Sequence, residues 1–129
     1  MATYQIQSTA KQLLGLRARA IVAVDGVDGA GKTTFADALA EHLSTLRQPF
    51  VRASVDGFHN PAEVRYARGR HDPKGFFLDS YDYSGLHHHL IAPFKRGETE
   101  VLTSVFDHRT DTISLIAEKV APTALLILD

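Results

Sequence analysis

The sequence predicts an α/β fold in three layers, α/β/α, with a parallel sheet between helices. Three observations carry that prediction. Residues 20–25 (Ala-Ile-Val-Ala-Val-Asp) form a short apolar, β-branched run bounded by glycine, as a strand buried on both faces does. The next eight residues, Gly26-Val27-Asp28-Gly29-Ala30-Gly31-Lys32-Thr33, match the phosphate-loop spacing G-x-x-x-x-G-K-[ST] at every fixed position. Phe35, Leu39 and Leu43 then recur at i, i+4 and i+8, the apolar stripe of a helix. Strand, glycine-rich turn and helix, in that order, are the setting this loop requires, so the fold is of the P-loop NTPase type.

The loop dictates its own chemistry. Glycines let the chain curl until successive N–H groups face inward at a helix N-terminus, an anion-binding nest. Lys32 brings a mobile positive charge to the β/γ-phosphates, and the Thr33 hydroxyl is placed to ligate Mg²⁺. Gly26, Asp28, Gly29, Ala30, Gly31, Lys32, Thr33 and Thr34 are therefore the candidate ATP-binding residues. A plain glycine turn would need neither the lysine nor the threonine.

Each further element follows from local pattern. Residues 3–17 carry Ile6, Leu13, Leu14 and Leu16 among polar residues and predict a helix outside the first strand. The helix opened by Lys32 runs to about Leu46, and Gln48-Pro49 ends it because proline cannot continue a helix. Phe50–Val55 is the second strand, closing at Asp56-Gly57 and completing a phosphate-binding β-α-β unit over residues 20–56.

Residues 58–82 show little periodicity beyond a short helix near Pro61–Arg68, and a stretch that long is usually functional. Within it Asp72-Pro73-Lys74-Gly75 spells the D-x-x-G of GTP switches. It follows no strand, and no N-K-x-D exists in the chain, so it reads as a polar turn. Tyr83–Phe94 predicts a helix with Leu86, Leu90 and Phe94 on one face, ending near Pro93 and Lys95-Arg96-Gly97. His87, His88 and His89 lie on it about 100° apart and cannot converge on one metal ion. Thr99–Phe106 reads as a strand, with Thr110–Ser114 pairing back as a hairpin, and residues 124–129 as a core strand.

Size and composition bound the function. At 129 residues the chain is one domain. A formal charge of −1 gives no basic surplus, so nucleic acid is not an expected partner. No apolar run approaches the roughly 18 residues of a membrane span, and no membrane partner is expected. The chain has no cysteine, which excludes a disulfide framework and a thiol nucleophile and suits a cytoplasmic location.

Outside the loop, Asp56 is the most informative carboxylate. It closes the second strand, where α/β sheets place their ligands, and could take a hydroxyl proton or help hold Mg²⁺. Asp129 ends the last apolar run, where P-loop proteins set an acid near the metal. Thr33, Asp56 and Asp129 are thus the candidate metal residues. Phe106-Asp107-His108-Arg109 gathers groups that could stack on and hydrogen-bond a heterocycle, or simply cap a hairpin.

With those residues assembled, the chain resembles the uridine kinase-like branch of the P-loop kinases, near phosphoribulokinase and pantothenate kinase. The phosphate loop, Ser54–His59, Leu78–Asp82, Val105–Arg109 and Leu126–Asp129 carry the resemblance. It implies an ATP- and Mg²⁺-dependent transfer to the 5′-hydroxyl of a uridine- or cytidine-like nucleoside. Asp56 would be the base beside Lys32, Asp82 would hold the ribose, and His59, Phe106, His108 and Arg109 would complete an acceptor site in residues 57–110. Rivals are a kinase of another small alcohol, such as pantothenate or a sugar, and a non-catalytic nucleotide-binding module. The partner is a small molecule, and a homo-oligomer is compatible with the sequence. Such kinases continue further, adding a lid and two strands. The expectation is a partial domain whose first strand shows an apolar edge.

Overall fold

The computed structural model describes residues 3–26 and 31–129, the side chains of Thr3 and Phe77 excepted. Its centre is β5 (Leu125–Leu128), flanked in parallel by β1 (Ile21–Ala23) and β2 (Phe50–Ala53). Ile21 is in register with Leu126 on one side, and Val51 with Leu126 on the other. A strand paired on both edges and covered on both faces has no use for polar residues, which is why β5 reads Leu-Leu-Ile-Leu.

Alternation along β5 assigns its side chains to two cores. Leu125 and Ile127 pack under α1 (Thr3–Leu13) and α2 (Lys32–Thr45), against Leu13, Ala36, Leu39 and Leu43. Leu126 faces the opposite core, with Val51, Phe58, Leu90 and Phe94. The second helical layer is α5 (Tyr83–Leu86), running through one wide turn (His87–Ile91) into α6 (Ala92–Arg96). The expected three layers are present. Arg19 ties them together, donating to the backbone carbonyls of Phe94 at 3.1 Å and Glu98 at 2.9 Å. No helix among the described residues is long and apolar enough to cross a membrane.

Several elements depart from the sequence reading. β1 and β2 are parallel but not neighbours, because β5 lies between them. The β-α-β unit is therefore closed by a strand from the far end of the chain. β1 is an edge strand among the described residues, with Ile21 and Val22 only half-buried, as the expected apolar edge requires. A cavity of about 540 Å³ runs beside it, lined by Val22, Val24, Phe35 and Leu39. The first helix stops at Leu13, since Leu14 and Leu16 find no core and stay exposed.

Asp72-Pro73 begins a helix rather than a turn: α4 (Pro73–Asp79). The Asp72 carboxylate accepts the Lys74 and Gly75 N–H groups at 2.8 and 3.1 Å, and Pro73 occupies the first turn, where its missing N–H costs nothing. A seven-residue helix is too short to show periodicity, but its cap was readable. The preceding short helix, α3 (Ala62–Arg65), lies within the expected span. Pro93 sits inside the helix, whose end at Arg96-Gly97 falls where the sequence reading put it. The wide turn before it, where Ala92 N–H bonds to His87 O, absorbs the proline, and the helix continues to Arg96. The hairpin of β3 (Glu100–Asp107) and β4 (Thr112–Lys119) is longer than expected, pairing Glu100 with Lys119.

α2 ends in a paired motif, Arg47 N–H to Ser44 O at 3.0 Å and Gln48 N–H to Leu43 O at 3.1 Å. Arg47 bears the left-handed turn at φ 57°. Such a residue costs about 1–2 kcal/mol that glycine avoids, partly offset by glycine's freer unfolded state. Arg47→Gly is expected to stabilise the fold by about 0.5–1 kcal/mol, read as a higher urea midpoint.

Candidate functional site

The site forms at the carboxyl ends of the three parallel strands. β1 leads to Asp25, whose carboxylate accepts the Gly26 N–H at 2.8 Å. Asp28, Gly29 and Ala30 lie outside the described residues. The chain resumes at Gly31, in a left-handed conformation at φ 84° that favours glycine. Gly31 O accepts the Phe35 N–H at 2.9 Å, setting Lys32, Thr33 and Thr34 in the first turn of α2.

Asp129, at the tip of β5, meets that turn. Its Oδ2 accepts the Thr33 hydroxyl at 2.5 Å. Its Oδ1 lies 2.7 Å from the Arg52 guanidinium, out of line for a hydrogen bond, and is buried without a hydrogen-bond donor. Arg52 is held in turn by Asp37 at 3.1 Å. Burial pushes the Asp129 carboxyl up. The Thr33 hydroxyl, Arg52 and Ser54 outweigh it and hold the group below its ordinary value, ionised at neutral pH.

These residues fit Mg²⁺. An ionised carboxylate beside a threonine hydroxyl is the protein share of a site that phosphates and water complete. Among the described residues no cluster of three or more His, Asp or Glu side chains could hold a metal alone, and a phosphate-bound Mg²⁺ needs none.

Asp56 arrives by a different route. After β2 the chain tightens into a single turn, Val55–Phe58, pinned by buried Phe58 and by Val55 N–H to Asp129 O at 2.9 Å. Ser54 caps it, accepting the Asp56 N–H at 3.2 Å. Gly57 lets β3 approach: a Cβ there would stand 3.0 Å from Ser104 and from the Thr103 carbonyl.

Asp56 thereby lines two cavities at once. One, of about 290 Å³, holds Lys32, Thr33, Thr34, Tyr81 and Asp129. The other, of about 390 Å³, holds Phe106, Asp107, His108 and Arg109 with Ser104 of β3. Lys32 and Asp56 thus face one space large enough for a phosphoryl group.

The acceptor-side expectations divide. Phe106, His108 and Arg109 share a cavity wall, and the Arg109 backbone N–H on Asp107 holds that carboxyl below its ordinary value. His59 joins from behind, its ring 4.0 Å from the His108 ring, its Nδ1 2.8 Å from Asp56 O. Asp82 is not brought in. Its carboxylate caps α5 through the Gly85 N–H at 2.9 Å and lines neither cavity, so the expected ribose contact has a helix cap in its place.

Tyr81, one residue away, does line the first cavity, its hydroxyl 3.5 Å from Asp56 Oδ1. Sequence reasoning missed Tyr81, Ser54 and Arg52. Only Ser54, a capping residue two before Asp56, left a signal in the pattern.

Burial lowers the His59 pKa, helped by the charges of His108 and Arg65 and opposed by the Asp56 carbonyl. The unfolded chain, with histidine near 6.5, then binds the proton more readily than the folded one. Stability should be level above about pH 6.5 and fall as pH drops toward the folded value. Urea midpoints at about pH 7.5 and about pH 5.5 check this, and His59→Phe should lose less between them than the parent.

The fold is a three-layer α/β/α one built on a parallel sheet, with its site at the strand ends beside the first turn of α2. No protein-family model matches the sequence, and no curated protein matches it. Solved structures do. A possible uridine kinase from Bacillus stearothermophilus superposes with a TM-score of 0.82 at 22% identity, over 97% of this chain and 69% of its own. A "putative fructose transport system kinase" from Silicibacter sp. TM1040 superposes with a TM-score of 0.72 at 22% identity, over 96% of this chain and 62% of its own. At that identity the likeness is one of fold.

Proposed function

We propose that the protein is an ATP-dependent kinase acting on the 5′-hydroxyl of a pyrimidine nucleoside. The observation that carries this is the position of Asp56, one carboxylate shared between the space beside Lys32 and the space beside Phe106 and His108. A nucleotide-binding switch needs no second cavity behind such an acid. The names of both structural neighbours accord with a small-molecule kinase, and the first with a nucleoside acceptor.

In this reading Lys32 and the loop N–H groups hold the triphosphate. Asp56 takes the proton of the acceptor hydroxyl as its oxygen attacks the γ-phosphorus. The bond to the β,γ-bridging oxygen breaks, and ADP leaves. Mg²⁺ would be held through Thr33 and Asp129 and would supply charge neutralisation on the phosphates. Phe106 and His108 stack on the base and Arg109 hydrogen-bonds it. Catalysis is then positioning and electrostatics, with little covalent work for the protein. The setting is the cytoplasm, where ATP is supplied.

The name of the second neighbour favours a sugar as the rival acceptor. A turnover panel of uridine, cytidine, other nucleosides, pantothenate and fructose, with Mg-ATP, separates them. Turnover confined to pyrimidine nucleosides is the expected result. Turnover of fructose or pantothenate alone would replace the acceptor assignment, and none at all would leave a nucleotide-binding module.

A further inference from the structure

A third, smaller cavity lies behind the His59–Tyr81 pair, between α3 and α4, and encloses about 110 Å³. Its polar wall is one-sided. Arg65, Arg70 and His59 line it and, among the described residues, no acid does. Both guanidiniums are gathered on one ring, Arg65 at 5.1 Å and Arg70 at 5.0 Å from the centre of Tyr66.

Arg65 is poorly compensated for a group this buried. Its side chain is only 13% exposed, and its carboxylate neighbour, Asp111, is 3.9 Å away. That oxygen of Asp111 already accepts the Ala62 N–H at 2.7 Å. The remaining partners of Arg65 are neutral: the Asn60 carbonyl at 2.8 Å and the Tyr66 hydroxyl at 3.3 Å. Among the described residues no carboxylate pairs with Arg70, and Asp79, the acid of the adjoining helix end, is taken by Arg68 at 3.1 Å.

Cation–π contact recovers part of the cost of crowding two like charges. It leaves two positive charges beside one cavity with no carboxylate on its wall among the described residues. An oxyanion would satisfy both, and forked N–H donors suit a phosphate.

We propose that this cavity is a phosphate-type oxyanion site, formed by Arg65 and Arg70 and separate from the phosphate loop. The His59–Tyr81 pair, with ring centres 4.6 Å apart, is the partition between this cavity and the transfer centre. Tyr81 lines both spaces, and His59 touches the Asp56 carbonyl. Occupancy is thereby felt at the turn that carries Asp56. The site does not depend on the kinase reading.

Inorganic phosphate is the probe, and Lys32→Ala in the full chain removes its competing grip in the loop. The His59 and Tyr66 ring resonances should shift saturably with phosphate in the Lys32→Ala chain. Arg70→Ala in that background, an exposed position that holds no other element, should weaken the response at least about tenfold. Arg70→Lys, keeping charge without the fork, should retain part of it. Ribose 5-phosphate identifies the source. A shift that reaches His108 means the anion is carried by an acceptor, and one confined to His59 and Tyr66 means a free-standing ligand. Absence of a saturable shift, or one unchanged by Arg70→Ala, overturns the proposal while leaving the kinase assignment untouched.

Discussion

Asp56→Asn should reduce phosphoryl transfer to the acceptor by about 10²–10⁴-fold while leaving ATP affinity unchanged within about twofold. Asparagine matches the carboxylate in size and still accepts a hydrogen bond, but it cannot take a proton. The turn beneath it is held by Ser54 and by backbone bonds to Asp129, not by the Asp56 carboxylate, so stability should move by no more than about 0.5 kcal/mol. ATP affinity is expected to be spared because, in the proposed reading, Lys32 and the first turn of α2 hold the phosphates from the other wall of the cavity. The measurement is single-turnover transfer from labelled ATP beside an ATP titration. Transfer at the parent rate would mean that the base lies elsewhere. A parallel loss of ATP binding would mean that Asp56 serves the nucleotide.

The largest stability effect is expected in the central strand. Leu126 is fully buried on β5, between β1 and β2, and packs with Phe58, Leu90 and Phe94. Leu126→Ala removes buried methyl groups from a strand pinned on both edges, so the cavity cannot collapse. A cost of about 2–5 kcal/mol is expected. Domains of this kind hold only about 5–15 kcal/mol in all. The same core seats Phe58, the anchor of the Asp56 turn, so the substitution should loosen the site before it unfolds the chain. Urea unfolding followed by far-ultraviolet circular dichroism gives the value, and a loss under about 1 kcal/mol would mean that β5 is not the centre of the sheet.

What the sequence made legible was local. The phosphate loop announced its strand and helix because the motif is contiguous and each fixed residue has its own physical role. Asp129 was legible as a strand-end acid, since a strand terminus is recognisable without knowing its neighbours; Asp56 was legible as an acid beyond a strand, although β2 stops at Ala53 rather than Val55 and Asp56 sits in the turn that follows. The sheet order was not. Nothing in residues 20–56 shows that β5 will insert between β1 and β2, because strand pairing is a non-local outcome of burying Leu-Leu-Ile-Leu on both faces. Asp82 shows how an acid before a helix can serve as a cap: its Oδ1 takes the Gly85 N–H, a contact that the local pattern leaves open. Tyr81 escaped notice because one residue along the chain separates the two faces of an extended segment. α4 was missed for a different reason: a polar D-x-x-G suggested a turn, although Asp-Pro at a helix start is also a capping signal.

The claim on which the rest depends is that the turn between β1 and α2 grips a triphosphate. Calorimetric titration of the chain with Mg-ATP, repeated on Lys32→Ala, tests it most directly. One saturable site, weakened at least about tenfold in the variant, is the predicted result. No saturable binding to the parent chain, or binding that ignores the loss of Lys32, would contradict it.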